Sequence, residues 1–132
     1  MKNLQILLLS ILLLTLNQSC NSDDSTTTNN NTQGNLIPEL TTTTASVITY
    51  NSVKSGGNII SANNSVIQSK GIVWSTNPNP TIDLSTKTND GNGNENFISQ
   101  ISTLNQNTQY YIRAYATNSN GTGYGNLVQF KT

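Results

Sequence analysis

The sequence predicts an all-β fold, a seven-stranded sandwich of two sheets, preceded by a cleaved export leader and a disordered polar linker. Three observations point there. Tyr110, Ile112, Ala114 and Ala116 fall on one face of a period-two run, and Tyr111, Arg113, Tyr115 and Thr117 on the other. That alternation marks a strand with one face buried. From Leu36 onward, short runs of β-branched and aromatic residues are separated by clusters of Asn, Gly and Pro, which punctuate strands with turns. Only 9% of residues are charged, while Ser, Thr, Asn and Gly are plentiful, a composition that suits an extracellular β domain. The 132 residues leave room for one domain.

The chain opens with one basic residue, Lys2, and an almost wholly apolar run from Leu4 to Leu16. A membrane-spanning helix needs about 20 apolar residues. This run is shorter and has the size of a signal-peptide core. Residues 1–19 are therefore the expected leader. Ser19-Cys20 follows, and Cys20 is the only cysteine. A small residue directly before a lone Cys resembles a bacterial lipobox, although Asn17 stands where that motif prefers Leu. The resemblance implies cleavage before Cys20 and lipidation of its thiol. Bacterial lipoproteins carry two or three acyl chains on that Cys. Each buried CH2 contributes about 0.8 kcal/mol, and one chain alone binds marginally, so such a load would hold the protein in a bilayer.

Residues 20–36 form the linker. Its Ser/Thr/Asn tract has no apolar period and cannot bury enough surface to fold. As a coil it would reach about 20 Å. Asp23 and Asp24 resemble the surface-export signal of Bacteroidota lipoproteins. Asp24-Ser25-Thr26 resembles the O-glycosylation sequon of that phylum, which makes Ser25 a candidate glycosylation site.

Residues 37–132 are the predicted sandwich. The Thr-rich run 40–47 is strand A, with Pro38 suited to its start or edge. Residues 52–61 are strand B, with Val53, Ser55, Gly57 and Ile59 on one face. Two glycines in mid-strand normally weaken it or mark a bulge. Asn63-Asn64 is a turn. Strand C covers 67–76, with Ile72 and Trp74 inward and a bulge near Gly71. Pro78 and Pro80 end it, since neither can donate to a central ladder. A short edge strand at 82–88, a Gly/Asn loop at 89–94 and strand E at 97–104 follow, with Phe97 and Ile101 in the core. Strand F then carries the alternation described above. Residues 120–123 are its turn into strand G, where Val128 and Phe130 complete the core.

Leu104, Thr108, Tyr110 and the alternating run ending at Asn118 and Gly121 resemble the E–F corner and F strand of fibronectin type III domains. The resemblance implies an immunoglobulin-like sandwich in which Tyr110 is the corner tyrosine, its hydroxyl bonded to backbone upstream. Residues 56–59, 70–76, 79–81 and 111–118 are similar to fibronectin-like modules of Bacteroidota surface proteins. That resemblance implies a large side chain packed over the two glycines of strand B, with Trp74 the expected one. Leu104, Tyr110 and Trp74 are thus expected structural residues.

Several chemistries are excluded or disfavoured. The sequence has no His, so nucleophilic catalysis by a Ser–His or Cys–His pair lacks its base. Without His, and with its one Cys acylated, no transition-metal site and no cofactor are expected. The domain's carboxylates, Glu39, Asp83, Asp90 and Glu95, sit near loops or strand ends rather than as a pair for glycoside hydrolysis. Residues 90–95 alternate oxygen ligands as calcium loops do, but Glu95 replaces the required Gly and Ile101 the bidentate Glu. Gly121–Gly125 has the glycines of a phosphate-binding turn without a following helix. Removing Lys2 leaves five basic and six acidic residues. No basic patch invites nucleic acid.

The candidate ligand contacts are Tyr111, Arg113 and Tyr115, expected side by side on the outer face of the C–F–G sheet. Two rings flanking a guanidinium could stack on sugars or anchor a protein contact. The bland alternative is that they cover the sheet by cross-strand pairing. The sequence thus predicts a non-enzymatic lipoprotein of the cell envelope, in the outer membrane and facing the cell surface. It would display one module for adhesion, protein interaction or spacing. The alternative is a small glycan-binding accessory lipoprotein that uses the tyrosine face or loops 77–81 and 119–125. Cys20→Ser should abolish palmitate labelling and move the protein out of the detergent phase. Unchanged labelling and partitioning would remove the anchor.

Overall fold

A computed structural model describes residues 36–132. The leader, Cys20, Ser25 and the linker as far as residue 35 lie outside the described residues. The first sheet contains β1 (Glu39–Thr42), β2 (Val53–Ser61) and β4 (Phe97–Ile101), in the order β1-β2-β4. The second contains β3 (Ser69–Ser75), β5 (Gln109–Asn118), β6 (Gly121–Tyr124) and β7 (Val128–Lys131), with β3, β6 and β7 all pairing β5. Every pairing is antiparallel. The strands take positions A, B and E in one sheet and C, F and G in the other, an immunoglobulin-like sandwich.

The inward faces meet in one core. Val53, Ile67, Ile72, Ile101 and Ile112 are fully buried, and Phe97, Leu104, Tyr110 and Phe130 close around them. The alternation of β5 puts Ile112 and Ala114 inward against Trp74 and Ile72 of β3. The Tyr110 ring stacks on Phe130, centroids 5.7 Å apart.

Several boundaries differ from the sequence expectation. Strand A stops at Thr42, not 47. The Thr run stays beside β2 through Thr43 N donating to Gly56 O and a Ser46–Lys54 bridge. Val47 then adopts a left-handed φ of 47° and turns the chain away. Strand E ends at Ile101, and Leu104 N instead donates to Asn51 O at 2.9 Å. The register of β3 is continuous, with no bulge at Gly71.

The expected edge strand at 82–88 is not one. Residues 86–91 run beside β3 as an irregular partner, with Trp74 N donating to Thr86 O and Thr88 N to Ile72 O. Seven strands remain because strand G is broken into β6 and β7. The F–G turn is Ser119-Asn120, and residues 121–124 are strand rather than turn. At the break, the Thr42 hydroxyl accepts from Ala114 N at 2.9 Å, and Thr42 N donates to Asn126 Oδ1 at 3.0 Å. Strand A thereby supplies the partner that the broken ladder withholds.

Phe97, not Trp74, covers Gly57 of the glycine pair. A Cβ at Gly57 would lie 2.5 Å from the Phe97 ring and 3.0 Å from Ala114 Cβ. The cause is register: Gly57 stands opposite Phe97 on β4. Trp74 instead sits half-buried at the core margin. Gly57→Ala should cost about 1–3 kcal/mol of stability in urea unfolding through overpacking. The same change in a Phe97→Leu background should cost measurably less.

Candidate functional site

The outer face of the second sheet is built by β5 and its neighbours. Register sets Tyr111 opposite Ser75, Arg113 opposite Val73, and Tyr115 opposite Gly71 on one side and Tyr124 on the other. Tyr111 and Arg113 are half-buried. The Arg113 guanidinium carbon stands 4.7 Å from the Tyr124 ring centroid, and Nε donates to Gly125 O at 3.1 Å. That stacking is a cation–π contact. The Tyr124 hydroxyl accepts from Ile82 N at 3.0 Å, which ties the segment after the prolines to this face. Tyr111 and Arg113 are thus brought together with Tyr124, which belongs to the 119–125 segment expected as a loop and is strand here. The signal for Tyr124 was its position on the strand face opposite Gly123.

Tyr115 departs from the expected surface array. It is only 4% exposed, and its hydroxyl donates to Thr88 O at 2.6 Å. Gly71 makes this crossing geometry possible, since a Cβ there would lie 2.3 Å from the same carbonyl. The ring covers its own sheet, so it is not a ligand platform. Burial pushes the phenol above its ordinary value of 10.0, and the nearby Asp90 charge pushes it further the same way.

A second polar group lies between the sheets at their β3–β4 side. Lys70 is 4% exposed, and its Nζ donates to Gly93 O at 3.0 Å and Glu95 O at 2.7 Å. The Glu95 carboxylate is 3.8 Å away and the Phe97 ring centroid 5.9 Å. The Asp90 carboxylate accepts from the Thr88 hydroxyl at 2.7 Å and from the Ser99 hydroxyl. Ile72 N donates to the same Thr88 oxygen at 2.8 Å. Residues 88–95 therefore join both sheets through side chains. Asp90 is turned toward hydroxyls and Glu95 toward Lys70, which separates the alternate oxygens of the calcium-like loop. Among the described residues no three His, Cys, Asp or Glu side chains gather into a metal-holding group. Gly121–Gly125 belongs mostly to β6, with no helix after it.

At the E–F corner the Tyr110 hydroxyl accepts from Asn105 N at 3.0 Å. Leu104 is buried beside it. These two residues and Trp74 all pack in or against the core, so they hold structure rather than line the outer face.

No protein-family model matches the sequence, and no curated protein matches it. Among solved structures, the sensor domain of the anti-sigma factor RsgI4 from Pseudobacteroides cellulosolvens is similar, with TM-score 0.54 and 18% identity. That match covers 72% of this chain and 93% of the domain. A structure described as a myokine is similar at TM-score 0.50 and 17% identity, covering 73% of this chain and 95% of its own. At such identities these two likenesses show the fold alone. The strand order, A, B and E in one sheet and C, F and G in the other, defines an immunoglobulin-like β-sandwich.

Because the folded phenol of Tyr115 titrates above the unfolded one, its contribution is full below pH 10.0 and is lost as pH rises further. Tyr115→Phe should lower stability at neutral pH by about 0.5–1.5 kcal/mol through loss of the hydrogen bond. The gap between wild type and variant should narrow above pH 10.0 in denaturant titrations.

Proposed function

We propose that the protein is a non-enzymatic lipoprotein of the cell envelope, anchored through Cys20 and displaying one fibronectin type III-like module at the cell surface. Its work is adhesion, protein interaction or spacing. The observation that carries this reading is the lone cysteine directly after Ser19 and a short apolar leader core. Without lipidation that thiol is unexplained in an exported chain. The module itself supports a scaffold role. Its buried polar groups, Thr42, Ser55, Lys70, Ser99 and Asn118, all find hydrogen-bond partners inside the fold. The likeness to a sensor domain fits a module that meets a partner rather than transforms one.

A glycan-binding role is the second reading. Tyr111 beside the Arg113–Tyr124 stack supports it, since these groups keep partial exposure on one face. The burial of Tyr115 removes one of its three contacts.

The test is protease treatment of intact cells. The module should be lost from wild-type cells, while a periplasmic control survives. Full protection until the envelope is opened would overturn surface display. The purified protein on a glycan array should show no binding. Binding that Tyr111→Ala abolishes in a folded protein would favour the second reading.

A further inference from the structure

The sandwich protects its sheet edges unevenly. Residues 86–91 run along the outer edge of β3 and bond it at alternate residues, through Trp74, Ile72 and Lys70. The edge formed by β6 and β7 is broken after Tyr124, and β1 closes against it. There Thr42 N reaches Asn126, and Pro38 O and Thr42 lie where Cβ atoms of Gly123 and Gly125 would be. Breaks, bends and covers of this kind are how proteins keep edges from pairing with other chains. The β4 edge has none of them.

The direction of the backbone groups on β4 follows from its neighbour. Gly56 O accepts from Thr43 N, and Lys54 exchanges both main-chain bonds with Ser46, so Lys54 and Gly56 face β1. Ser55 and Gly57 then face β4 and bond Ser99 and Phe97. Ile98 and Gln100, which alternate with them, point their N–H and C=O groups outward, away from β2. The strand from Asn96 to Thr103 contains no charge and no proline. Ile98 is 73% exposed, one of the two most exposed large apolar residues among those described.

We propose that β4 is a self-association edge, and that its partner is β4 of a second copy of this chain. The edge is complementary to itself. In an antiparallel pair centred on Ser99, Ile98 meets Gln100 of the second copy, and each pair exchanges N–H···O=C bonds in both directions. Asn96 meets Ser102, and Glu95 meets Thr103, so no like charges are brought opposite one another. On the outer face each Ile98 side chain lies against the aliphatic stem of the opposing Gln100. The product is one continuous sheet across the two-fold axis, an isologous contact that closes on itself and does not polymerise. The contact is small, so the association is weak and concentration-dependent. A foreign peptide could add to the same backbone groups; the second copy is favoured because its own neutral strand brings no charge against the edge and matches the outward groups on both sides of Ser99.

The test is sedimentation equilibrium of the purified full chain, under reducing conditions and in density-matched detergent, across a range of concentrations. Wild type should show reversible association toward two chains. Gln100→Pro removes an outward N–H and leaves the backbone ladder to β2, losing besides only the Gln100 Nε2 bond to Val53 O, and Ile98→Lys adds a charge to the edge. Each should weaken association roughly tenfold or more. Val66→Lys, at an equally exposed apolar site on the B–C loop, should leave it unchanged. Circular dichroism checks that each variant is folded. If proline disturbs the strand, Ile98→Lys decides alone. A wild-type chain that sediments singly throughout would overturn the proposal. So would an Ile98→Lys chain that associates as tightly as wild type, or a Val66→Lys chain that dissociates as readily as Ile98→Lys.

Discussion

Pairing of buried polar groups is the constraint that shapes this module. The apolar core is thin, and polar side chains enter it from both sheets. A buried donor or acceptor without a partner costs about 1–3 kcal/mol, a large share of the stability of a small domain. Among the described residues no buried side-chain nitrogen or oxygen lacks a partner. The solutions are specific. Lys70 caps the carbonyls of Gly93 and Glu95, Thr42 serves the amide of Ala114, and Asn118 Nδ2 reaches Leu36 O and Ala62 O. Each of these bonds joins segments distant in sequence, so the polar groups decide how loops and edges close over the apolar faces.

The same requirement bears on function. Side chains that looked available in one dimension are engaged in three. Tyr115 reaches across Gly71 to a loop carbonyl, Asp90 holds two hydroxyls, and Tyr124 supports both Arg113 and Ile82 N. What stays free is the backbone of one strand and a set of exposed apolar side chains, chiefly Val47, Tyr50, Val66 and Ile98.

The fold class was legible because it rests on local facts. Alternation along 110–117 is a property of one strand, and Leu104 and Tyr110 lie within one corner. Turn residues at Asn63-Asn64 needed no distant partner either. Several of the differences depended on contacts between remote segments. Nothing local says that Gly57 faces Phe97 rather than Trp74, because that choice is made by the register of β2 on β4. The outward alternation of Tyr115 was correct, yet its burial comes from Thr88, a residue in another segment. Residues 121–124 read as part of a turn, yet they are strand, and the break that follows them is bridged by Thr42 of strand A, which reaches Asn126 and Ala114 N. Lys70 is the sharpest case: a basic residue on an inward position, tolerated only because the loop at 93–95 turns two carbonyls toward it.

The placement of Leu36 and Thr132 at opposite poles of the sandwich has a mechanical consequence. Leu36 is held at the pole formed by Ala62, Asn118 and Asn120, while Thr132 is bonded to Thr108 and Asn105 at the opposite pole. Tension drawn between these points runs along the strands, and crosses the ladder bonds of β1 and β7 at right angles. Such a pull shears all the bonds of a ladder together instead of peeling them one at a time. Resistance to a brief pull in that direction is then governed by the rate of unfolding rather than by equilibrium stability.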